Sequence, residues 1–194
     1  MIILASTSPR RKEILSFFSL NFKIVPSNFD EKTIQFVKDP KSYVLEIATK
    51  KAIALDKKYL NDIIIAADTI VYFNSKIYSK PNNLIEAKKQ LSELSNSWHE
   101  VFTAVCIKHQ GMIYNDIEST KVFINPLTDK EIDKYLNSIK YLDKAGGYAI
   151  QNAGSIIIKE MVGCYYNAMG LPINTLRKLL AKVGINLWDY LKTF

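Results

Sequence analysis

Ile2-Ile3-Leu4-Ala5-Ser6-Thr7-Ser8-Pro9-Arg10-Arg11 is the stretch on which the reading of the whole chain turns. Its apolar run, Ile2 to Ala5, suits a buried strand. Ile14, Leu15 and Phe18 then fall on one face of a helix. The hinge between them has the marks of a helix start, with Ser8 placed to cap and Pro9 at the first helical position. Arg10 and Arg11 in that first turn do nothing for the helix itself. A cation at the positive end of a helix dipole is unfavourable by roughly 0.3–1 kcal/mol when exposed. Backbone N–H groups, two hydroxyls and two guanidinium groups gathered just past a strand end suit an anion, a polyphosphate above all. A solvated basic turn with an ordinary cap is the competing reading.

Working outward, strand 2–5, helix 9–19 and strand 22–26 form a β-α-β unit expected to be parallel. Asp39-Pro40 caps and starts a second helix to about Lys57, with Val44, Ile47, Ala48, Ala52 and Leu55 on its apolar face. Lys50 and Lys51 are adjacent there, so only one of them can face a cleft. Ile63 to Ala67 is apolar without alternation, as in a strand covered on both faces. Asp68 is expected to end it, placing an acid where open α/β sheets hold their ligands. Strand resumes from Ile70 to Phe73, turns at Asn74-Ser75 and returns through Lys76 to Tyr78.

The second half reads as a helix from about Leu84 to Leu94 and two strands near 98–108 and 112–124, antiparallel about Gln110-Gly111. A capping box at Thr128 and Glu131 opens another helix. The glycine pair in Lys144-Ala145-Gly146-Gly147-Tyr148-Ala149-Ile150-Gln151 would let backbone approach a ligand closely. Strands near 155–159 and 162–166 and helices at 173–183 and 187–192 complete the expectation. No repeat, linker or low-complexity tract interrupts residues 1–194, so one domain of mixed α/β class is expected.

Composition narrows the function classes. The chain has 194 residues, 48% hydrophobic and 23% charged, as ordinary globular proteins do. A formal net charge of +7 favours an anionic partner. The lysines are nevertheless spread out, and no basic, aromatic-rich stripe or nucleic-acid motif accompanies them, so no nucleic-acid partner is expected. No apolar run approaches the ~20 residues that cross a bilayer, and no signal-peptide pattern opens the chain. Cys106 and Cys164 lie apart with no metal-ligand spacing, which fits two thiols in a reducing cytoplasm.

The chain is similar, over nearly its whole length, to the Maf family of nucleoside triphosphate pyrophosphatases. The resemblance is carried by LASTSPRRKEIL at 4–15, DE at 30–31, the segment Ile47 to Ala52, AADTIV at 66–71, SKP at 79–81, Trp98 to Thr103, LTDKEIDKYL at 127–136, KAGGYAIQ at 144–151 and Gly163 through Pro172. The set in this order is specific, although each piece alone is weak. It implies an elongated mixed β-sheet flanked by helices, with two lobes around a central cleft, a Maf/ITPase-like architecture. It also implies hydrolysis of nucleoside triphosphates to the monophosphate and pyrophosphate with a divalent cation, Mg or Mn. Members are often dimers, so a homodimer is a candidate assembly, and they are linked to clearing non-standard nucleotides and to arrest of septum formation.

By position, the resemblance makes Asp68 the catalytic acid assigned as general base, and Glu31 the second metal-side carboxylate. Ser6, Ser8, Arg11, Lys51 and Lys80 fall to the phosphates; Arg10, Thr69 and Gln151 fall to base preference. Gln151, where the 7-methyl-GTP branch tends to carry an acid, implies the dTTP/UTP branch. Two departures touch that preference: Asn74-Ser75-Lys76 lacks the usual glycine, and Asn152 stands where glycine is usual. The chemistry suits the residues. A triphosphate with about four negative charges needs its leaving pyrophosphate stabilised and a water held in line. Arginine forks and lysine point charges do the first, and one or two carboxylates hold the hard cation. Whether Asp68 takes the proton or binds the metal stays open at this stage. So do a 7-methyl-GTP-type substrate and a regulator of cell division that binds nucleotide without turnover.

Overall fold

The structure, a computed structural model, describes residues 1–192. Its elements are β1 (Ile2–Leu4), α1 (Pro9–Leu15), β2 (Phe22–Ile24), α2 (Pro40–Asp56), β3 (Ile63–Phe73), β4 (Lys76–Tyr78), α3 (Leu84–Leu94), β5 (Trp98–His109), β6 (Met112–Ile124), α4 (Asp129–Ser138), α5 (Gly154–Ile157), β7 (Ile158–Val162), α6 (Tyr165–Met169) and α7 (Ile173–Ala181). The class is mixed α/β. A seven-stranded open sheet runs β2-β1-β3-β5-β6-β7, with β4 paired to β3. The chain divides into two compact units, with described residues 1–68, 103–118 and 170–192 in the first and 69–102 and 119–169 in the second.

In the first unit β1 lies between β2 and β3 and is parallel to both, with Ile2 opposite Phe22 and Ile63. The unalternating apolar run is what this requires. Ile3, Leu4, Ile64 and Ile65 are almost wholly buried because a central parallel strand is covered on both faces. Helix α1 is shorter than its apolar pattern, stopping at Leu15 rather than continuing to residue 19. The cause is tertiary: Phe18 bridges to Leu191, and Ser19 N–H donates to the Tyr190 carbonyl at 2.8 Å. Helix α2 is N-capped by Asp39, whose carboxylate accepts from the N–H groups of Lys41 and Ser42.

In the second unit one apolar core joins Ala87, Leu91 and Leu94 of α3 to Ile132, Tyr135 and Leu136 of α4 and to Val71, Val101, Val122 and Ile124 of the sheet. The capping box at Thr128 and Glu131 forms in full. Strand β6 meets β7 antiparallel. Strands β5 and β6 are neighbours joined by only Gln110-Gly111, which an antiparallel pair alone allows.

Two expected strands are corrected here. Residues 154–157 form helix α5, because Gly154, Ser155 and Ile156 donate backbone bonds three residues back to Gln151, Asn152 and Ala153; strand begins only at Ile158. The 162–166 segment is not strand either. The Asn167 side-chain amide donates to the carbonyl of Val101 and to the hydroxyl of Thr120, and the chain coils into α6 to place it. Short apolar runs fit helix and strand alike; local backbone bonds decided the first segment and a side-chain amide reaching far along the chain decided the second. No helix among the described residues is long and apolar enough to cross a membrane.

Candidate active site

Beyond β1 the chain turns sharply: Ser6 N–H bonds the Leu4 carbonyl at 2.9 Å and Ala5 N–H bonds that of Ile65 at 2.8 Å. Ser6 is buried, and its hydroxyl oxygen accepts from Ser8 N–H at 3.1 Å and from the Arg11 guanidinium at 3.3 Å. Arg11 also donates through Nε to the Gly170 carbonyl at 2.8 Å. Its guanidinium is therefore held in one orientation. Burial lowers the Arg11 pKa, and the nearby charges of Asp68 and Glu31 work the other way. Ser8 occupies the N-cap position but makes no side-chain cap bond, contrary to its expected capping role. The Ser6 hydroxyl takes the Ser8 N–H instead.

Asp68 lies in β3 of this unit, 6% exposed. It does not end the strand as expected, because β3 runs unbroken from Ile63 to Phe73. The strand that ends is its partner. β1 leaves the sheet after Leu4, opposite Ile65, and Asp68 lies just past that point on the longer strand. The strand end expected at Asp68 therefore belongs to the neighbouring strand β1.

Lys51, on the buried face of α2, puts Nζ 2.6 Å from Asp68 Oδ1 and 2.6 Å from Glu31 Oε1. Its neighbour Lys50 is exposed, as the helical angle between adjacent residues requires. Glu31 opens a short 3-10 turn whose cap, Asp30, accepts from Lys32 N–H. Burial raises the Asp68 pKa above the ordinary carboxylate value, Lys51 pulls it down and Glu31 pushes it up again. The acid is thus poised between two cations and a second acid.

Tyr43 belongs to the same neighbourhood and was not foreseen. Its pKa is raised by burial and by the charges of Asp68 and Glu31, and its ring meets Phe36 edge-on at 5.6 Å. The signal was available: Tyr43, Ile47 and Lys51 step by four along one face of α2.

Arg10 lies in the first turn of α1, and Thr69, Lys80 and Gln151 are in the second unit. Thr69 follows Asp68 in β3, and strand alternation turns it to the opposite face. Lys80 is exposed in the stretch after β4, next to Ser79, whose carbonyl accepts from Gly146 N–H at 3.3 Å. That bond ties the SKP segment to the glycine-pair loop. The loop leads to Gln151, and two buried anchors grip it on the way. The Tyr148 hydroxyl meets His99 Nε2 at 2.6 Å, and the Tyr135 hydroxyl bonds both the N–H (3.0 Å) and the carbonyl (3.3 Å) of Ala149.

His99, a residue of β5, is 2% exposed, and burial lowers its pKa to about 4. It is neutral in the fold. The glycines here answer to packing. Gly146 has φ +72°, and a Cβ on it would sit 3.2 Å from Leu94; one on Gly154 would lie 2.0 Å from the Ala149 carbonyl oxygen.

The departures from the family pattern also find an explanation. Asn152 has φ +53°, and Asn74 and Ser75 have φ +48° and +61°. These positions need left-handed backbone, which glycine takes freely and asparagine tolerates well. The turns are kept with different residues, and Ser75 is the strained one.

A buried acid ion-paired to lysine, with a fixed arginine nearby, lies just past the end of β1, an arrangement able to handle an anion. The comparisons agree with that chemistry. The Maf-like protein family model matches residues 1–183, and the chain belongs to that family. It is 39% identical over 191 residues to a protein of Chlamydia caviae named dTTP/UTP pyrophosphatase, covering 98% of this chain and 97% of that one. A Clostridium perfringens protein of the same name is 42% identical over 190 residues, 96% and 98% of the two chains. A Chlamydia pneumoniae protein named nucleoside triphosphate pyrophosphatase is 37% identical, over 97% of each. Among solved structures, the Staphylococcus aureus Ham1 protein overlaps 63% of this chain and 71% of its own, at 17% identity and a TM-score of 0.44, too loose a likeness to carry an argument.

Proposed function

We propose that this protein hydrolyses nucleoside triphosphates between the α and β phosphorus, releasing pyrophosphate, with dTTP, UTP and related modified pyrimidine nucleotides as substrates. The observation that carries it is the buried Lys51–Asp68 pair, bridged by the same lysine to the more exposed Glu31 and lying near Arg11. Within one unit it supplies an acid that can hold a proton and cations that can hold phosphate oxygens. The names of the relatives supply the bond and the bases.

In this reading Asp68 is the group nearest the reacting water and takes its proton. Arg11, locked by Gly170 and Ser6, presents a guanidinium of set direction to the phosphate chain. Ser6 acts through Arg11, because its hydroxyl already serves the hinge. Ser8, Lys51 and Lys80 contribute phosphate contacts, and Arg10, Thr69 and Gln151 contribute base preference.

Asp68 and Glu31 each place an oxygen 2.6 Å from the one Lys51 nitrogen, so both carboxylates reach a single cation, and hard oxygen donors suit a hard ion. They are the residues that would hold Mg or Mn. Such an ion lowers the pKa of water and neutralises phosphate charge. Two unpaired thiols, Cys106 and Cys164, fit the cytoplasm as the working compartment.

The test is a panel of standard and modified triphosphates with magnesium, manganese and cobalt, scored by pyrophosphate. Pyrophosphate from dTTP and UTP is expected. Binding of dTTP without turnover in any metal would instead make the chain a regulator, and preference for 7-methyl-GTP would move it to the other branch.

A further inference from the structure

We propose that Lys51 is the resident counter-cation of the Glu31–Asp68 pair, and that a divalent ion gains those oxygens only when a nucleotide's phosphates draw the ammonium away. The inference rests on the metal-dependent reading above and adds an order of events: metal and triphosphate enter together.

The geometry is specific. One nitrogen, Lys51 Nζ, makes both contacts at 2.6 Å, to Asp68 Oδ1 and Glu31 Oε1. Lys51 and Asp68 are 7% and 6% exposed, so neither charge is dissolved in bulk water. Magnesium and manganese need oxygens at about 2.0–2.2 Å. An ammonium within hydrogen-bond reach of the same two atoms occupies that place and repels a second cation through a poorly screened medium. Arg11 adds positive charge beside Asp68.

The two cations differ in what they can do next. Arg11 is pinned at Nε and at one terminal nitrogen by Gly170 and Ser6. Lys51 is a point charge on a flexible four-carbon stem and can swing between partners. A triphosphate offers it new oxygens at the moment the carboxylates are claimed. Bare metal offers it none. Lys51 therefore guards the carboxylates against metal alone and yields them to metal with nucleotide.

The experiment is a Mn2+ titration followed by the electron paramagnetic resonance of the free ion. It compares wild type, Lys51→Met and Lys51→Met/Asp68→Asn, each with and without a non-hydrolysable α,β-imido dUTP. Mn2+ alone should bind Lys51→Met about tenfold or more tighter than wild type, and should raise the melting temperature of that variant but not of wild type. The double variant should lose both effects. The dUTP analogue should tighten Mn2+ binding to wild type more than to Lys51→Met.

A folded Lys51→Met that binds Mn2+ no better than wild type overturns the proposal. So does wild type that binds Mn2+ equally well with and without the analogue, which decides the matter even if Lys51→Met does not fold. Pyrophosphate release separates the two readings. Release with unchanged Mn2+ affinity in the variant sinks the guard and keeps the enzyme. Tightened Mn2+ without release from any nucleotide does the reverse.

Discussion

In the first unit Lys51 lies 2.6 Å from both Asp68 and Glu31, charge against charge. In the second, the loop leading to Gln151 is held by His99 on Tyr148 and by Tyr135 on Ala149, and neither of those bonds contains an ion. The difference follows from what each region is proposed to do. Ionic pairs exchange partners when a charged ligand arrives, so they suit a place where bonds to phosphate must form and break. Neutral buried hydrogen bonds and close glycine packing have no better partner to move to. They suit a loop that must present one amide in one place, as base recognition needs.

The comparison can be broken most decisively at Asp68. Asp68→Asn should cut pyrophosphate release by about a thousandfold or more while nucleotide binding persists, measured by steady-state kinetics and calorimetry. An active Asp68→Asn would remove the charged region from the chemistry.

The neutral region has its own signature in pH. His99 is held near pKa 4, below its ordinary 6.5, so the unfolded chain takes up this proton first as pH falls. Stability is therefore full above pH 6.5 and is lost between 6.5 and about 4, by about 3 kcal/mol for this group. His99→Phe should flatten that part of the denaturation-against-pH profile. An unchanged slope would mean that His99 is not buried neutral.

A smaller effect is expected at Gln151. If it reads the base, Gln151→Ala should lower the ratio of kcat/KM for dTTP over dGTP by about tenfold, while kcat for dTTP changes less. Smallest of all, Ser75→Gly should stabilise the protein by about 1 kcal/mol in chemical denaturation, since it relieves left-handed backbone at φ +61°. Its activity should not change.

Much of the fold was legible because local rules and global packing agreed. The parallel core showed in Ile63 to Ala67, α2 in Asp39-Pro40 with its apolar face, and α4 in its capping box. The errors cluster where long-range bonds outweighed local pattern. Helix α1 stops early because Ser19 bonds Tyr190, and the 162–166 segment coils because Asn167 reaches Val101 and Thr120. Asp68 stands out in the sequence as an acid after an apolar run, but it is β1 and not β3 that ends beside it. Tyr43 was overlooked because a tyrosine on a helix face is unremarkable until the charge it faces is known.

What the sequence determined by itself is the order and type of most elements and the α/β class. Apolar period, caps and turn residues act within a few positions, where the chain's own geometry decides. What only the tertiary structure decided is which of those residues share charge. Glu31, Lys51 and Asp68 come from a 3-10 turn, a helix and a strand, and no local rule sets their distances. Burial then fixes the partner: a lysine folded into low dielectric must find a carboxylate, and this one finds two.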